Sequence, residues 1–437
     1  MGEVRVGLIG WGTIGTGVVK LLQRNRAHIR ERLGAHLTLG GIADIDLTTD
    51  RGVKVDTKLL TNDAAKLIAD PNIDVVVELV GGYGVARRFV LEAIAHGKSV
   101  VTANKALLAV HGEEIFAAAE KAGVDLGFEA SVGGGIPIIR TLKEALAGDR
   151  NRAVYGIVNG TCNYILSTMT QQGGEFDAVL RQAQADGLAE ADPSFDVDGI
   201  DSAHKLALLI QLAFGARVPF KSIPIEGIRG VSATDIAFAK EFGYVIKLLA
   251  IAKSDGDAIE ARVQPTMVPR SHVLADVSGP FNAIAVMGEA LGQSVYIGQG
   301  AGMMPTATAV VADLIEVARN RLADTLGRVA PLGVPFAQMR RLRVKPLDDL
   351  VTQYYLRFMA LDRPGVLAQI TGALGRNGIS IASVIQRERE EKGAVPVVIH
   401  THEASEKSLR RALAAIGKLS AVKGKPAVIR IEDRLDS

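Results

Sequence analysis

The feature that most constrains this chain is the run V-R-V-G-L-I-G-W-G-T-I-G-T-G at residues 4–17. A short β-rich segment (4–9) leads directly into Gly10, Gly12 and Gly15, and then into V-V-K-L-L-Q at helical spacing. In a G-x-G-x-x-G turn the first glycine takes the tight bend and the second lets a pyrophosphate reach the backbone. The third lets helix and strand pack closely. The helix start adds N–H groups and a partial positive charge. The spacing predicts a dinucleotide cradle, with Thr13 and Ile14 touching the cofactor beside the three glycines. The alternative is a flexible or packing turn; the strand before the glycines and the helix after them favour the cradle.

Strand and helix signals continue to alternate. Apolar runs at 37–43, 74–80, 98–103 and 124–130 are separated by helical periodicity, and D-V-V-V-E-L-V is apolar on both faces. This is the pattern of a doubly wound parallel sheet, an α/β fold over residues 1–130. A mixed α+β region follows over 131–340. It has a helix at 201–214 and strand-like runs near 223–230 and 259–268, and its helix near 306–328 returns to the first domain. The charged stretch 339–350 reads as a linker. From 350 to 433 the order is β-α-β-β-α-β, with strands at 354–361, 379–389, 394–401 and 426–431, a ferredoxin-like unit.

Composition narrows the function. Fifty basic residues stand against 48 acidic ones, a net charge of +2, which gives no field for nucleic acid or an anionic membrane. The start of the chain lacks the form of a signal peptide, and the apolar run Leu206–Phe214 is far short of the ~20 residues that span a bilayer. One cysteine, Cys162, permits neither an internal disulfide nor a multi-thiolate metal site, which suits a reducing cytoplasm.

Three places carry chemistry. Asp44 ends the second strand, where a carboxylate would bond the ribose hydroxyls of NAD and repel the 2′-phosphate of NADP; Arg51 would offset it by reaching in. V-T-A-N-K at 101–105 puts Thr102 and Lys105 at the carboxyl end of a parallel strand, the ligand side of such a sheet. The stretch 185–205 gathers Glu190, Asp192, Asp196, Asp198 and Asp201 before Lys205. Asp201 and Lys205, at i and i+4, share one helix face, and together they can bind a zwitterion and move a proton. Calcium-loop spacing is absent. His204 reads as a packing or surface residue, and Cys162 as a small buried side chain.

These residues resemble those of the homoserine dehydrogenases. The likeness is carried by V-T-A-N-K (101–105), E-A-S-V-G-G-G-I-P (129–137), G-I-V-N-G-T-C-N-Y-I-L (156–166) and the acidic stretch 183–205. It implies reversible reduction of L-aspartate 4-semialdehyde to L-homoserine by NADPH or NADH. Lys105 and Lys205 match the two active-site lysines, with Lys205 as proton donor to the alkoxide. Glu190 and Asp201 match the substrate-holding carboxylates, and Thr161 and Gly187 line the substrate–nicotinamide space. Glu129, Val132, Gly134 and Ile136 resemble a sodium site, and Gly302 in G-Q-G-A-G lies near the cofactor. The residue after Asp44 is Ile45, where NADP-preferring members carry a basic side chain.

L-D-R-P-G-V-L (361–367) and N-G-I-S-I (377–381) resemble the ACT domain, an amino-acid-sensing module. Asp362, Gly365 and Val366 would bind the effector, and the implied role is feedback inhibition by L-threonine. Such modules pair across chains, so a homodimer or homotetramer is expected. No aspartokinase domain is expected ahead of a strand beginning at Val4. Two rival readings are another semialdehyde dehydrogenase, which Cys162 is wrongly placed to serve, and a non-catalytic dinucleotide and amino-acid sensor. Retention of Lys105, Glu190, Asp201 and Lys205 together disfavours the sensor.

Overall fold

A computed structural model describes residues 2–387 and 393–435. The chain divides into two compact units. The first comprises Met1–Gly160, Asp201–Phe220 and Phe281–Leu342, and the second Thr161–Ile200, Lys221–Pro280 and Arg343–Ser437.

In the first unit, β1 (Glu3–Ile9), β2 (His36–Ala43), β3 (Leu60–Thr61), β4 (Val75–Glu78), β5 (Ser99–Thr102) and β6 (Leu126–Gly127) form a parallel sheet. Its order is β3-β2-β1-β4-β5-β6. The direction of progression reverses between β1 and β4, and the crevice outside the strands' carboxyl ends at such a point takes ligands. Every residue of β4 and β5 is buried, the reason their centres are valine, with Glu78 and Thr102 as buried polar residues at the carboxyl ends. Thr13–Arg24 follows the glycine turn as a helix, and the return helix Met303–Leu322 packs on it. Gly17 lets the two approach, since a Cβ there would lie 2.9 Å from that of Ala307. An antiparallel set, β7 (Asn151–Ile157) beside Phe281–Gly288 and then Gly292–Gln299, completes the unit together with the helix Ile200–Phe214.

The second unit is built on the hairpin Tyr244–Ser254 and Ala258–Pro269. Thr266 and Met267 pair in parallel with Arg430 and Ile431 of the last strand, Val422–Ile431. The sheet then continues through Val351–Leu361 and Ala394–Thr401 to Ile381–Ile385. With the helices Val366–Arg376 and Glu406–Ile416 this is the expected β-α-β-β-α-β unit, closed over Leu356, Phe358, Ile370, Leu374, Ile399 and Leu409.

The tertiary structure departs from the sequence reading in four places. The strand expected at 223–230 is a single bridge, Ile225 to Val263. Pro224 and Gly227 break the run, and the Ile228 N–H bonds the Val197 carbonyl instead of a strand neighbour. The strand expected over 124–130 stops after Gly127, because the Glu129 N–H turns to the Asp313 carboxylate and a 3-10 turn begins. The stretch 339–350 is not a bare linker: Arg343–Val344 pairs with Ala258–Ile259, and Met339 and Leu350 are buried. The return helix ends at Leu322 rather than near 328. Residues 388 and 389, the expected end of the 379–389 strand, lie outside the described residues.

Candidate active site

The three glycines of the turn differ in what surrounds them. Gly10 turns at φ +95°, and a Cβ on it would lie 2.6 Å from the Leu79 carbonyl carbon. On Gly15 a Cβ would lie 2.2 Å from the Gly10 oxygen. Gly12 faces open space and stands at the N-cap of Thr13–Arg24 with no side-chain cap, so the helix start is left bare for an acidic ligand. Gly12 and Thr13 are exposed and Ile14 is half-buried.

At the end of β2, Asp44 accepts the Trp11 and Asp46 N–H groups. Arg51 folds against Trp11. Its guanidinium lies 4.4 Å over the Trp11 ring and donates to the carbonyls of Trp11, Thr49 and Asp46. Ile45 is 97% exposed.

The carboxyl ends of β4 and β5 carry the next group. Thr102 is fully buried, and its hydroxyl donates to Glu78 at 2.7 Å. Asn104 caps the helix Lys105–Ala122 by accepting the Leu107 N–H. Lys105 is the first residue of that helix, and its side chain is about one-third exposed, at 32%.

Lys105 converges with the pair seen at i, i+4 spacing. Asp201 and Lys205 are 3% and 8% exposed on Ile200–Phe214. The Lys205 ammonium donates to Asp201 Oδ2 at 2.7 Å and to the Val158 carbonyl at 2.6 Å. Lys105 Nζ lies 3.0 Å from Asp201 Oδ1, and Asn159 Nδ2 donates to Oδ2 at 2.9 Å. One buried carboxylate therefore bridges two ammonium groups. Burial alone would push the Asp201 carboxyl up; Lys205 and Lys105, with the bonds from Lys205 and Asn159, hold it well below the usual carboxylate range. His204 is buried and stacked on Phe220 at 4.5 Å, and burial pushes its imidazole down to about 4. It is a packing residue, not a surface one.

Glu129 is buried, and its two oxygens accept the N–H groups of Ile139 and Arg140. Burial, then the Asp313 carboxylate, push it up to about 7. Val132, Gly134 and Ile136 form a buried loop in which Gly133 and Gly134 are left-handed. A Cβ on Gly134 would lie 2.5 Å from the Gly300 oxygen, so this loop packs on Gly298–Gly302. Gly302 has φ +117° and starts Met303–Leu322 without a side-chain cap. Among the described residues no group of three or more histidine, cysteine or carboxylate side chains offers a metal site.

In the second unit, the Thr161 hydroxyl donates to the Leu188 carbonyl at 2.9 Å, beside the turn at Gly187 (φ +72°). Glu190 is exposed on that turn, and Cys162 is buried with its sulfur toward the Asp196 carbonyl. Asp362 accepts from Gln386, Gly365 is the left-handed N-cap of Val366–Arg376, and Val366 is buried.

Reading the sequence alone missed Asn159, the Val158 carbonyl, Glu78 and Asn104. A signal existed for each side chain: a polar residue directly after, or ending, an apolar strand run.

Residues 10–129 match the homoserine dehydrogenase NAD-binding domain, residues 137–315 homoserine dehydrogenase, and residues 354–421 the ACT domain. The homoserine dehydrogenase of Neisseria gonorrhoeae is 43% identical over 436 residues, covering 100% of both chains. A crystal structure of the Thiobacillus denitrificans homoserine dehydrogenase is 45% identical and superposes with a TM-score of 0.92 over 99% of this chain and 98% of that one. A hyperthermophilic archaeal homoserine dehydrogenase in complex with NADPH is 26% identical, with a TM-score of 0.60 over 72% of this chain and 97% of that one. With a dinucleotide-binding sheet, a carboxylate-bridged lysine pair and an ACT domain in that order, the chain belongs to the homoserine dehydrogenase family.

Proposed function

We propose that this protein interconverts L-aspartate 4-semialdehyde and L-homoserine with NADP or NAD, and that L-threonine regulates it through the C-terminal unit. The observation that carries the reading is Asp201 bridging Lys105 and Lys205. A bound nicotinamide supplies or accepts the hydride. The bare helix start at Gly12 and Thr13 fits its pyrophosphate, with Gly10, Ile14 and Gly15 shaping the cradle and Thr102, Lys105 and Gly302 toward its other end. Reduction of an aldehyde leaves an alkoxide that needs a proton and a positive partner. Lys205 gives that proton, and Lys105 steadies the oxygen. Asp201 keeps the two ammonium groups together, where their mutual repulsion would drive them apart. By the family resemblance Glu190 and Asp201 are the substrate-holding carboxylates for the ammonium and hydroxyl groups, and Thr161 and Gly187 are the residues assigned to the substrate–nicotinamide space.

Both cofactors remain in the reading. Asp44 favours NAD by its charge, and Arg51 beside it offsets that charge toward the 2′-phosphate of NADP, the form bound by the archaeal relative. Glu129, with the carbonyls of Val132, Gly134 and Ile136, would hold a sodium ion; its buried carboxylate, pushed toward protonation, is one that a cation would relieve. The functional division is 1–130 for cofactor, 131–340 for substrate and dimerisation, and 350–433 for regulation by Asp362, Gly365 and Val366. The active species is a homodimer or homotetramer. A reducing cytoplasm suits a chain with one cysteine. The product feeds synthesis of threonine, methionine and isoleucine.

The test is to mix the protein with L-homoserine and either cofactor and follow the reduced-nicotinamide absorbance. Turnover with one or both supports the assignment, and none with either overturns it. Added L-threonine should lower the rate; a flat response over a wide range would remove the regulatory part.

A further inference from the structure

The mechanism leaves Glu78, a fully buried carboxylate beside the cofactor cradle, unused. Glu78 ends β4 with no exposure at all. Burying a carboxylate is costly unless hydrogen bonds meet it, and an apolar side chain would end this strand at no such cost. Here three donors meet it. Oε1 accepts the N–H groups of Val80 at 2.8 Å and Gly81 at 3.1 Å, and Oε2 accepts the Thr102 hydroxyl at 2.7 Å.

The bonds continue into a closed circuit. The Thr102 oxygen accepts the Asn104 N–H at 3.0 Å. Asn104 accepts the Leu107 N–H at 3.0 Å with one side-chain atom, capping the Lys105 helix, and donates to the Gly82 carbonyl at 2.8 Å with the other. The circuit thus runs from Glu78 through the turn 80–82 to Asn104, Thr102 and back.

Both edges of this circuit face chemistry. On one side the turn backs the cofactor cradle, since a Cβ on Gly10 would lie 2.8 Å from the Val80 nitrogen. Gly81 and Gly82 are both left-handed, at φ +77° and +71°, with open space before them, and Val80 offers 46% exposed apolar surface at the strand ends. On the other side the circuit fixes the first residue of the helix that carries Lys105 to Asp201.

We propose that Glu78 is a positioning residue for hydride transfer, holding the Val80–Gly82 turn and the Lys105 helix start in one register through Thr102 and Asn104. The proposal rests on the homoserine dehydrogenase reading above. Glu78 touches no reacting atom. It sets where the nicotinamide floor and the Lys105 ammonium stand relative to each other.

The test uses Glu78→Gln, Thr102→Val and Thr102→Ser in the full chain. Glutamine keeps the shape but presents an NH2 where the carboxylate accepted, so either the turn or the Thr102 hydroxyl loses its partner. Misplacement of about 1 Å costs on the order of a hundredfold in turnover. Glu78→Gln and Thr102→Val should therefore lower kcat by roughly ten- to a hundredfold with the homoserine KM little changed, and Thr102→Ser should restore it. Cofactor affinity, read from quenching of the one tryptophan, Trp11, should weaken severalfold in the first two variants only. Wild-type kcat and cofactor affinity in Glu78→Gln overturn the proposal. So does a loss that merely tracks the folded fraction in thermal melts, or a Thr102→Ser as impaired as Thr102→Val. If Glu78→Gln fails to fold, the Thr102 pair decides. If the wild type does not turn over homoserine, the reaction assignment fails, and Trp11 quenching in the two Thr102 variants still decides the role of the circuit.

Discussion

Two strand–glycine–helix turns in this molecule look alike in sequence and are built for different reasons. Gly10–Gly15 leads from a parallel sheet, and Gly365 leads from an antiparallel one. In the first turn Gly10 and Gly15 are needed for room: a Cβ at Gly15 would lie 2.2 Å from the Gly10 oxygen. In the second, Gly365 has nothing within 4 Å of its Cβ position, and glycine is needed for the dihedral alone, at φ +85°. A doubly wound sheet must bring helix, strand and ligand phosphates together at one point. In the ferredoxin-like unit the chain turns in open space, so only the dihedral calls for glycine.

The comparison can be broken by substitution. The largest effect belongs to the helix Ile200–Phe214, which carries Lys205. Lys205→Ala should lower turnover by about 10²–10⁴-fold, as loss of a proton donor does, while Trp11 quenching by cofactor persists. Loss of cofactor binding instead would mean that Lys205 is misassigned. Gly15→Ala comes next. Its methyl must displace backbone, at about 1–3 kcal/mol of stability, and cofactor affinity should fall at least tenfold in the same quenching titration. An unchanged affinity would show that the cradle tolerates the crowding. Gly365→Ala should cost about 1 kcal/mol in chemical denaturation and raise the L-threonine concentration for half-inhibition severalfold. Gly365→Asn should recover most of that, since asparagine tolerates the left-handed region, whereas Gly15→Asn should recover nothing. Equal behaviour at both sites would erase the distinction.

A smaller effect tests how each region treats buried charge. The C-terminal unit pairs its buried ions, as in Arg430 with Glu406 at 2.6 Å. The helix Ile200–Phe214 also pairs buried ions, Asp201 with Lys205, but keeps its buried His204 neutral. Its folded pKa, pushed down to about 4 by burial, lies below its ordinary value of 6.5. The unfolded chain therefore takes up the proton first, and stability is lost as pH falls from 6.5 toward 4. His204→Asn should flatten that part of the melting-temperature profile relative to wild type, by the equivalent of about 3 kcal/mol. Parallel profiles for the two proteins would place the acid sensitivity elsewhere.

What could be read in advance followed from local periodicity. The glycine spacing at 10–15, the both-faces apolar strand at 74–80 and the alternation after Gln353 each imply an element and its neighbours, because pleat and helix repeats are short-range. Asp201 and Lys205 could be paired for the same reason, one helix turn apart. Lys105 could be flagged at a strand end, but its convergence on Asp201 could not be read, since 96 residues of chain separate them. The segment 223–230 failed because its apolar run is intercepted by the Val197 backbone, a contact no local pattern encodes.

The sequence by itself therefore determined the dinucleotide-binding sheet, the ferredoxin-like tail and the residue types available for proton transfer. Those depend on spacing along the chain and on side-chain chemistry. The tertiary structure alone decided that one carboxylate would bridge two lysines, that Arg51 would lie on Trp11, and that Glu78 would tie a turn to a helix cap. Each needs distant segments brought within hydrogen-bond reach, where burial turns an ordinary charge into one that must have partners.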